Sequence, residues 1–279
     1  REYLEYDVKP TNYFNGMWIP HPIQSNLYFL PKNLRTNCFN DLLNARKNIS
    51  DEEINNYDSW LRRAFGNTFT DTFPVSYTLK YWTVHPRELM TEWIGERVYY
   101  PSIDDIKKSL KGPLDKGTHY IQNVRYPKKG GFNVFAKNFY NQSNIQKNKE
   151  VNRIDLKEKI VFFEDGTLTK YEKLINTLPL PSFLELSDIS DASKEAASSL
   201  KCSSLLLVNV VANHRTIRPD NWIYVYDEDK YSTRINCTEL LAPNNGVKGK
   251  TGLQVEVYFS HHRKKVESDM EIAQNVIKE

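Results

Sequence analysis

The stretch with the strongest chemical character is residues 125–135, which read Arg-Tyr-Pro-Lys-Lys-Gly-Gly-Phe-Asn-Val-Phe. Pro127 fixes its own backbone φ angle, while Gly130 and Gly131 permit a positive φ or a close approach of a ligand to the backbone. Because two lysines stand beside these glycines at the start of a helical pattern, the segment predicts a pocket for an anion or an electron-rich ring. The alternative is a plain turn before a core helix, with both lysines in solvent.

A helix after this turn is indicated by apolar residues at i, i+3, i+4, i+7 and i+8, the spacing of one helix face. The residues concerned are Phe132, Phe135, Ala136, Phe139 and Tyr140. We expect this face to be buried against the protein core.

A second candidate binding group is Arg234, in the alternating segment Tyr-Ser-Thr-Arg-Ile-Asn at residues 231–236. A guanidinium close to the aromatic ring of Tyr231, on an otherwise apolar strand, suits a phosphate or a carboxylate. The alternative is an ion pair between neighbouring strands at the protein surface.

Other common chemistries find little support in the sequence. The six histidines show no metal-ligand spacing, no G-x-S-x-G nucleophile motif occurs, and the three cysteines form no C-x-x-C pair. Pairs of acidic residues stand where helices are predicted to begin, and there the helix dipole explains them. The sequence therefore predicts neither a metal site nor acyl-transfer chemistry.

The elements around these residues are helical early in the chain and strand-rich later. Asn15-Gly16 between apolar residues predicts a β-hairpin over residues 11–22, and helices follow from Pro31 onwards. The segment with Phe69, Phe73 and Pro74 is interpreted as a loop between helices.

The hydrophobic period then changes to that of strands. Strands are predicted at residues 151–156, 159–164, 168–171, 174–178, 205–212, 222–226, 233–237 and 253–260. The connections in the last block are too short for helical crossovers, so this sheet is expected to be antiparallel. Helices and strands that are segregated along the chain define an α+β fold.

Length and composition narrow the function classes. The chain has 279 residues, a formal net charge of +3 and an aromatic share of 13%. It is long enough for a sizeable core, carries no basic block that would indicate nucleic-acid binding, and has no apolar run long enough to span a membrane. Few, scattered cysteines favour a reducing cytoplasm. Arg1 and the charged run that ends at Glu279 lead us to expect a piece of a longer protein.

With these segments placed, the chain resembles the flavin-dependent amine oxidoreductases, in the branch of protoporphyrinogen oxidase-like and UDP-galactopyranose mutase-like proteins. The Pro-x-x-Gly-Gly-Phe segment at 127–132 is similar to the family's segment near flavin and substrate. Residues 151–156 and 174–179 resemble strands that return from the substrate domain to the FAD domain. Residues 18–27 and 93–98 resemble the flanking segments.

The resemblance implies roles for particular residues. Those expected to contact the FAD are Tyr126, Gly130, Gly131, Val151, Thr177 and Pro179. Those expected to contact the substrate are Arg234, Tyr231 and Gln24. FAD would supply the redox or nucleophilic chemistry, and the protein would supply position and electrostatics.

The same resemblance implies a division of the chain. Residues 1–124 would form the helical part of a substrate-binding domain, 125–180 the Gly-Gly helix and strands of the FAD domain, 181–262 the substrate-domain sheet, and 263–279 the start of a further helix. The family's G-x-G-x-x-G turn for the ADP pyrophosphate is missing. We therefore expect a central fragment that does not hold FAD tightly alone.

The function implied by the resemblance is that of an FAD-dependent oxidoreductase or sugar mutase in the cytoplasm. Its substrate would be a small polar molecule, with a nucleotide sugar of surface polysaccharide biosynthesis as the candidate. Nucleic acid and membrane partners are not expected, and the sequence leaves the oligomeric state open. The opposing hypothesis is a non-catalytic carbohydrate-binding or protein-interaction domain.

Overall fold

A computed structural model describes residues 2–47, 54–114, 123–200 and 202–279. Contacts divide the chain into two compact units, the first Arg1–Phe135 with Ser203–Glu279 and the second Ala136–Cys202. Both helices and sheets are present, so the predicted α+β class is confirmed. The domain boundaries predicted from the resemblance concern function and stay a prediction.

The strands among the described residues are β1 Tyr3–Asp7, β2 Pro10–Phe14, β3 Met17–Pro20, β4 Asn123–Pro127, β5 Val151–Asp155, β6 Ile160–Phe163, β7 Leu168–Lys170, β8 Ser203–Ala212, β9 Trp222–Val225, β10 Arg234–Cys237 and β11 Thr251–Ser260. The α-helices are α1 Lys32–Lys47, α2 Tyr57–Thr70, α3 Ser76–Tyr81, α4 Ile103–Ser109, α5 Lys137–Gln142, α6 Leu180–Leu186, α7 Asp191–Ser198, α8 Thr238–Leu241 and α9 Asp269–Lys278.

The first unit is built on a six-stranded sheet in the order β3-β2-β9-β10-β11-β8. Its neighbours pair antiparallel except β2 and β9, which run parallel. The antiparallel pairing predicted for the strands of residues 205–260 is confirmed, and the sheet as a whole is mixed because the N-terminal hairpin adds to it. The hairpin joins the sheet at its edge through a pairing between segments that lie far apart in the sequence, such as Pro10 with Trp222. A separate two-stranded ribbon pairs β1 with β4.

The predicted hairpin at 11–22 is confirmed as β2 and β3. Asn15 and Gly16 have φ angles of 47° and 77°, the left-handed values that a tight two-residue hairpin turn requires. The hairpin brings Ile19 into the core, where its side chain is fully buried.

Helices α1 and α2 pack against the hairpin and form the larger hydrophobic core, with Leu42, Leu61 and Phe65 at its centre. Asn56 caps α2, because its side chain accepts a hydrogen bond from the Ser59 N–H at 2.9 Å. A smaller core lies where α9 covers β8 and β11.

The segment interpreted as a loop around Phe69, Phe73 and Pro74 is helical, which corrects that prediction. Helix α2 continues through the π-helical turn Asp71–Val75 directly into α3. Proline lacks an N–H and its ring crowds the preceding turn of an α-helix. The wider π-turn accommodates Pro74 without ending the helical run.

Gly66 lets α1 and α2 approach closely. It has φ 77° inside α2, and a Cβ added there would lie 2.5 Å from the carbonyl carbon of Asp41. The helix resumes because the Asp41 carboxylate accepts the Thr68 N–H at 3.0 Å. An intramolecular cap from α1 thus restarts α2 after the kink.

The second unit contains the three-stranded antiparallel sheet β5-β6-β7, as predicted. The strand predicted at 174–178 is absent from this described segment, which is irregular. Ile175 is 90% exposed, so the apolar run that suggested a buried strand finds no partner strand within its own unit.

The helix predicted after Gly131 is also shorter than expected. A 3-10 turn, Phe132–Phe135, precedes α5, and neither buries a residue. Phe132 and Phe139 are 70% and 72% exposed, so the expectation of a buried apolar face is wrong within each unit. The spacing of the aromatic residues is helical, but the surface that would cover them is not provided by their own unit.

We expect Gly66→Ala to lower the free energy of unfolding by about 2–4 kcal/mol, because it combines a left-handed residue with overpacking against α1. Gly112→Ala is the matched control, since Gly112 lacks a positive φ and has open space around it. Urea denaturation of both variants measures the effect. Equal unfolding midpoints for the two variants would contradict this account of the kink.

Candidate functional site

The first unit contains a partly open cavity of about 280 Å³ between the α2–α3 helical run and one face of the sheet. It is lined by aromatic rings together with a few polar groups. The residues around it are His21, Pro22, Gln24, Tyr57, Leu61, Phe65, Phe69, Phe73, Pro74, Tyr77, Thr78, Tyr81, Trp82, Trp93, Arg97, Val98, Tyr99, Tyr224, Tyr226 and Arg234. Among these described residues no Asp, Glu, Lys or Cys is present. The cavity is therefore suited to binding by stacking and hydrogen bonding.

One wall of the cavity is an aromatic series on the helical run, with a ring at every fourth position: Phe65, Phe69, Phe73, Tyr77 and Tyr81. Neighbouring ring centroids are 5.3 Å apart for the first pair, 5.2 Å for the second and 5.9 Å for the last. Residues four apart share a helix face, which is why these rings line one side of the cavity.

The opposite wall comes from the sheet. Tyr224 and Tyr226 alternate along and just beyond β9 and so face the same side, and Arg234 projects from the neighbouring strand β10. Tyr77 joins the two walls, since its ring centroid lies 5.8 Å from that of Tyr224 and 4.9 Å from that of Tyr226. Edge-to-face and tilted pairs of this kind stabilise the contact.

The hydroxyl of Tyr77 is buried and has no hydrogen-bond partner among the described residues. Burial, together with the nearby Tyr224 and Tyr226, raises its pKa well above the usual value, so the hydroxyl stays protonated. Burial also raises the pKa of Tyr226. Leaving a buried donor unpaired costs free energy, so a ligand in the cavity that accepts this proton would gain affinity.

Arg234 lies in the cavity wall and makes the ion pair that was the alternative to a binding role. Its Nε donates to Glu256 Oε2 at 2.8 Å and its Nη2 donates to Oε1 at 2.7 Å. Arg234 and Glu256 face each other in the register of β10 and β11. Burial opposes the charge of Arg234, but the hydrogen bonds and charge of Glu256 outweigh it and raise the pKa of the guanidinium. The Glu256 side chain is buried and Arg234 lines the cavity, so this ion pair lies beside the cavity and not at an open surface.

The other two predicted substrate residues fall in different places. Gln24 lines the cavity, and its Nε2 donates to the Tyr99 carbonyl at 3.0 Å. Tyr231 is not among the lining residues, because its hydroxyl donates to Glu267 at 2.5 Å and its ring packs on the smaller core near α9. Its predicted contact with substrate stays a prediction.

Several lining residues were missed at the level of sequence. Arg97 is exposed, lines the cavity and makes no ion pair with the described residues. His21 directly follows strand β3 of the hairpin, and its Nδ1 lies 3.0 Å from Asn12 Oδ1. The available signal in the sequence was the aromatic residue at every fourth position from Phe65 onward. Pro74 lies within this series and led to the prediction of a loop instead of a helix.

The flavin residues predicted in the first unit lie around the turn after β4. Tyr126 is half-buried in β4 opposite Leu4. Gly130 and Gly131 have φ angles of 91° and 68°, as the predicted turn requires. The N–H of Gly130 donates to Asn245 Oδ1 at 2.9 Å, so it is not free for an anion. Gly131 has no heavy atom near the position of a Cβ, which leaves its surface open.

The flavin residues predicted in the second unit lie in and after its sheet. Val151 begins β5 and is half-buried, whereas Thr177 and Pro179 are exposed in the irregular segment before α6. Their role as FAD contacts stays a prediction.

Two features are absent from the described part of the chain. No cluster of His, Cys, Asp and Glu in residues 2–47, 54–114, 123–200 and 202–279 has metal-site geometry. Over the same ranges, no helix combines the length and the apolar character needed to cross a bilayer.

Comparison with solved structures gives the fold. The chain is similar to a reduced UDP-galactopyranose mutase, with 21% sequence identity and a TM-score of 0.89. The alignment covers 99% of this chain and 61% of the mutase chain. A putative protoporphyrinogen oxidase from Exiguobacterium sp. 255-15 shows 14% sequence identity and a TM-score of 0.64. The alignment covers 99% of this chain and 64% of the oxidase chain. An oxidoreductase from Methanosarcina mazei shows 15% sequence identity and a TM-score of 0.60. The alignment covers 99% of this chain and 66% of the oxidoreductase chain.

These likenesses confirm the predicted resemblance at the level of the fold. The chain spans less than two thirds of the length of each of these three structures. No protein-family model matches the sequence.

We expect Tyr77→Phe to leave the free energy of unfolding of the ligand-free protein unchanged or to raise it by up to ~1 kcal/mol, because it removes an unpaired buried hydroxyl. Tyr258→Phe is the matched control, since that hydroxyl donates to Glu256 at 2.6 Å. Its loss should cost about 1–3 kcal/mol. Urea denaturation compares the two, and a similar loss in both variants would contradict an unpaired Tyr77 hydroxyl.

Proposed function

We propose that this chain carries the substrate site of an FAD-dependent enzyme of the mutase-like or oxidoreductase kind, and that the aromatic cavity takes a polar nucleotide-sugar substrate. The observation that carries the proposal is the combination of stacked rings, two guanidinium groups and an unpaired tyrosine hydroxyl in one cavity. The chain places this cavity in a fold that it shares with a UDP-galactopyranose mutase.

Each part of a nucleotide sugar has a matching group. Aromatic faces such as Tyr224 and Tyr81 stack on a base or a sugar ring. Arg97 supplies N–H donors and positive charge for phosphate oxygens, and Arg234 supplies its remaining N–H donors. Gln24 and the neutral hydroxyl of Tyr77 offer hydrogen bonds for base or sugar oxygens.

The cavity residues bind and orient, and the cofactor would supply the reaction. Flavin, when bound, brings redox or nucleophilic chemistry that protein side chains lack. In the first unit, the open surface at Gly131 and the exposed ring of Phe132 fit the approach of a flat flavin ring. Tyr126, Gly130 and Gly131 are the proposed contacts there.

The second unit supports the same proposal independently. Its irregular segment exposes the apolar side chains of Leu174, Ile175 and Leu178 to solvent, and this exposure of apolar surface is unfavourable. We infer that this run packs within a larger FAD-binding domain in the complete enzyme. Val151, Thr177 and Pro179 are the proposed cofactor contacts of this unit.

The proposed setting is surface polysaccharide biosynthesis in the cytoplasm. The described cysteines, Cys38, Cys202 and Cys237, take part in no disulfide within the described part of the chain. Burial raises the pKa of Cys38 to about 12 and that of Cys237 to about 11, so both are unreactive. Buried thiols outside any disulfide, such as Cys38 and Cys237, suit a reducing compartment.

We expect the full product of this gene to purify with bound FAD, identified by its absorption spectrum and by release on denaturation. The physical basis is the flavoprotein fold and the open surface at Gly131. A colourless product that takes up no added FAD would favour the opposing hypothesis, a non-catalytic carbohydrate-binding domain. Such a domain would still bind sugars in the aromatic cavity.

We expect Arg97→Ala to weaken binding of UDP-galactose by about tenfold or more, because a hydrogen bond to a charged group contributes ~1.5–3 kcal/mol. Its unfolding free energy should change by less than ~0.5 kcal/mol, since Arg97 is exposed and makes no ion pair within the described ranges. Isothermal titration calorimetry measures the affinity.

Arg215→Ala is the control for the loss of one positive charge, because Arg215 is exposed and does not line the cavity. An Arg97→Ala affinity equal to that of Arg215→Ala would remove Arg97 from the site. Wild-type protein that binds no UDP-galactose would overturn the proposed substrate class.

A further inference from the structure

In the Arg234–Glu256 pair, the carboxylate occupies the edge of the guanidinium that would otherwise bind a phosphate. Two parallel N–H donors, here Nε and Nη2, form the fork that matches a carboxylate or a phosphate. Both donate to Glu256. Only the Nη1 edge and the second Nη2 proton remain for a ligand.

Glu256 is fixed in this position from several sides. Asn236 Nδ2 donates to its Oε1 at 3.0 Å and the Tyr258 hydroxyl donates to its Oε2 at 2.6 Å. The Glu256 side chain is 7% exposed, while that of Arg234 is 31% exposed. A ligand therefore meets an arginine whose partner cannot move away without losing four hydrogen bonds.

The pairing also changes the charge that the cavity offers. Arg97 and Arg234 are its two arginines, and no acidic or lysine side chain lines it among the described residues. Because Glu256 cancels the charge of Arg234 at contact distance, the effective positive charge is close to that of Arg97 alone. A second negative charge on a ligand finds little compensation.

We propose that Glu256 is a specificity-determining residue that limits the preference of this cavity for multiply charged phosphate ligands. This inference rests on the proposed nucleotide-sugar function. Glu256 acts through Arg234 and does not touch the ligand. The base and sugar contacts then contribute a larger share of the affinity than the phosphates do.

The test compares UDP with uridine, which carries the same base and ribose but no phosphate. Calorimetry gives both affinities for wild type and for Glu256→Gln. We expect the ratio of UDP to uridine affinity to rise by about tenfold or more in Glu256→Gln, the size of one charge-assisted hydrogen bond. A merely structural role of Glu256 would weaken both ligands together and leave the ratio unchanged.

The control is Glu239→Gln, which makes the same change in net charge at another buried glutamate. Glu239 accepts the Gly252 N–H at 3.0 Å and does not line the cavity. Its ratio should equal that of wild type. A rise of equal size in Glu239→Gln would overturn the proposal, because it would show an effect of net charge alone.

Wild type provides a second measurement if Glu256→Gln does not fold. UDP should bind less than about tenfold more tightly than UMP, since the added phosphate gains less than one full charge-assisted contact. A larger gain would overturn the role of Glu256. Wild type that binds UDP, with an unchanged ratio in the variant, would overturn this inference alone. Wild type that binds neither UDP nor uridine would overturn the proposed function as well.

Discussion

The packing of an aromatic helix face against the sheet is the interaction on which the first unit depends. Rings at every fourth residue between Phe65 and Tyr81 line one wall of the cavity, although the helical run kinks at Gly66 and widens into a π-turn at Pro74. The kink at Gly66 lets α1 approach α2, and the π-turn accommodates Pro74 without ending the helical run. Tyr77 then meets Tyr226 across the interface. The cavity is the space that these large, rigid rings do not fill.

The strands could be predicted from sequence, because alternation and turn residues are local signals. Asn15-Gly16 sets the hairpin, and β5 to β7 and β8 to β11 follow the predicted segments. The parallel pairing of β2 with β9 could not be predicted, since it joins segments far apart in the chain. Pro74 suggested a loop where a π-turn preserves the helix. The run near Ile175 failed for another reason: apolar composition indicates burial, but it does not say that the covering surface belongs to the same unit.

The candidate site was predictable to a smaller degree. Arg234 was identified from its alternating segment and Gln24 through the family resemblance, and both line the cavity. Tyr231 was grouped with Arg234 by proximity in sequence, yet its hydrogen bonds tie it to the C-terminal segment. Tyr77 and Arg97 carry no individual signature, because their significance arises only when the helical run and the following segment converge on the sheet. Both readings of Arg234 contain part of the answer, since it forms a cross-strand ion pair and also faces the cavity.

Helix α3 couples this site to the sheet through its other face. Lys80, between the cavity residues Tyr77 and Tyr81, is buried and donates to the carbonyls of Asp227 and Ser232 at 2.6 and 2.9 Å. Burial lowers its pKa to about 8, so keeping it charged costs free energy that these carbonyl contacts offset. Both carbonyls belong to the connection between β9 and β10. Ser232 lies two residues before Arg234 in the sequence. One short helix thus supplies part of the aromatic wall and also holds the segment that leads into β10, the strand that carries Arg234.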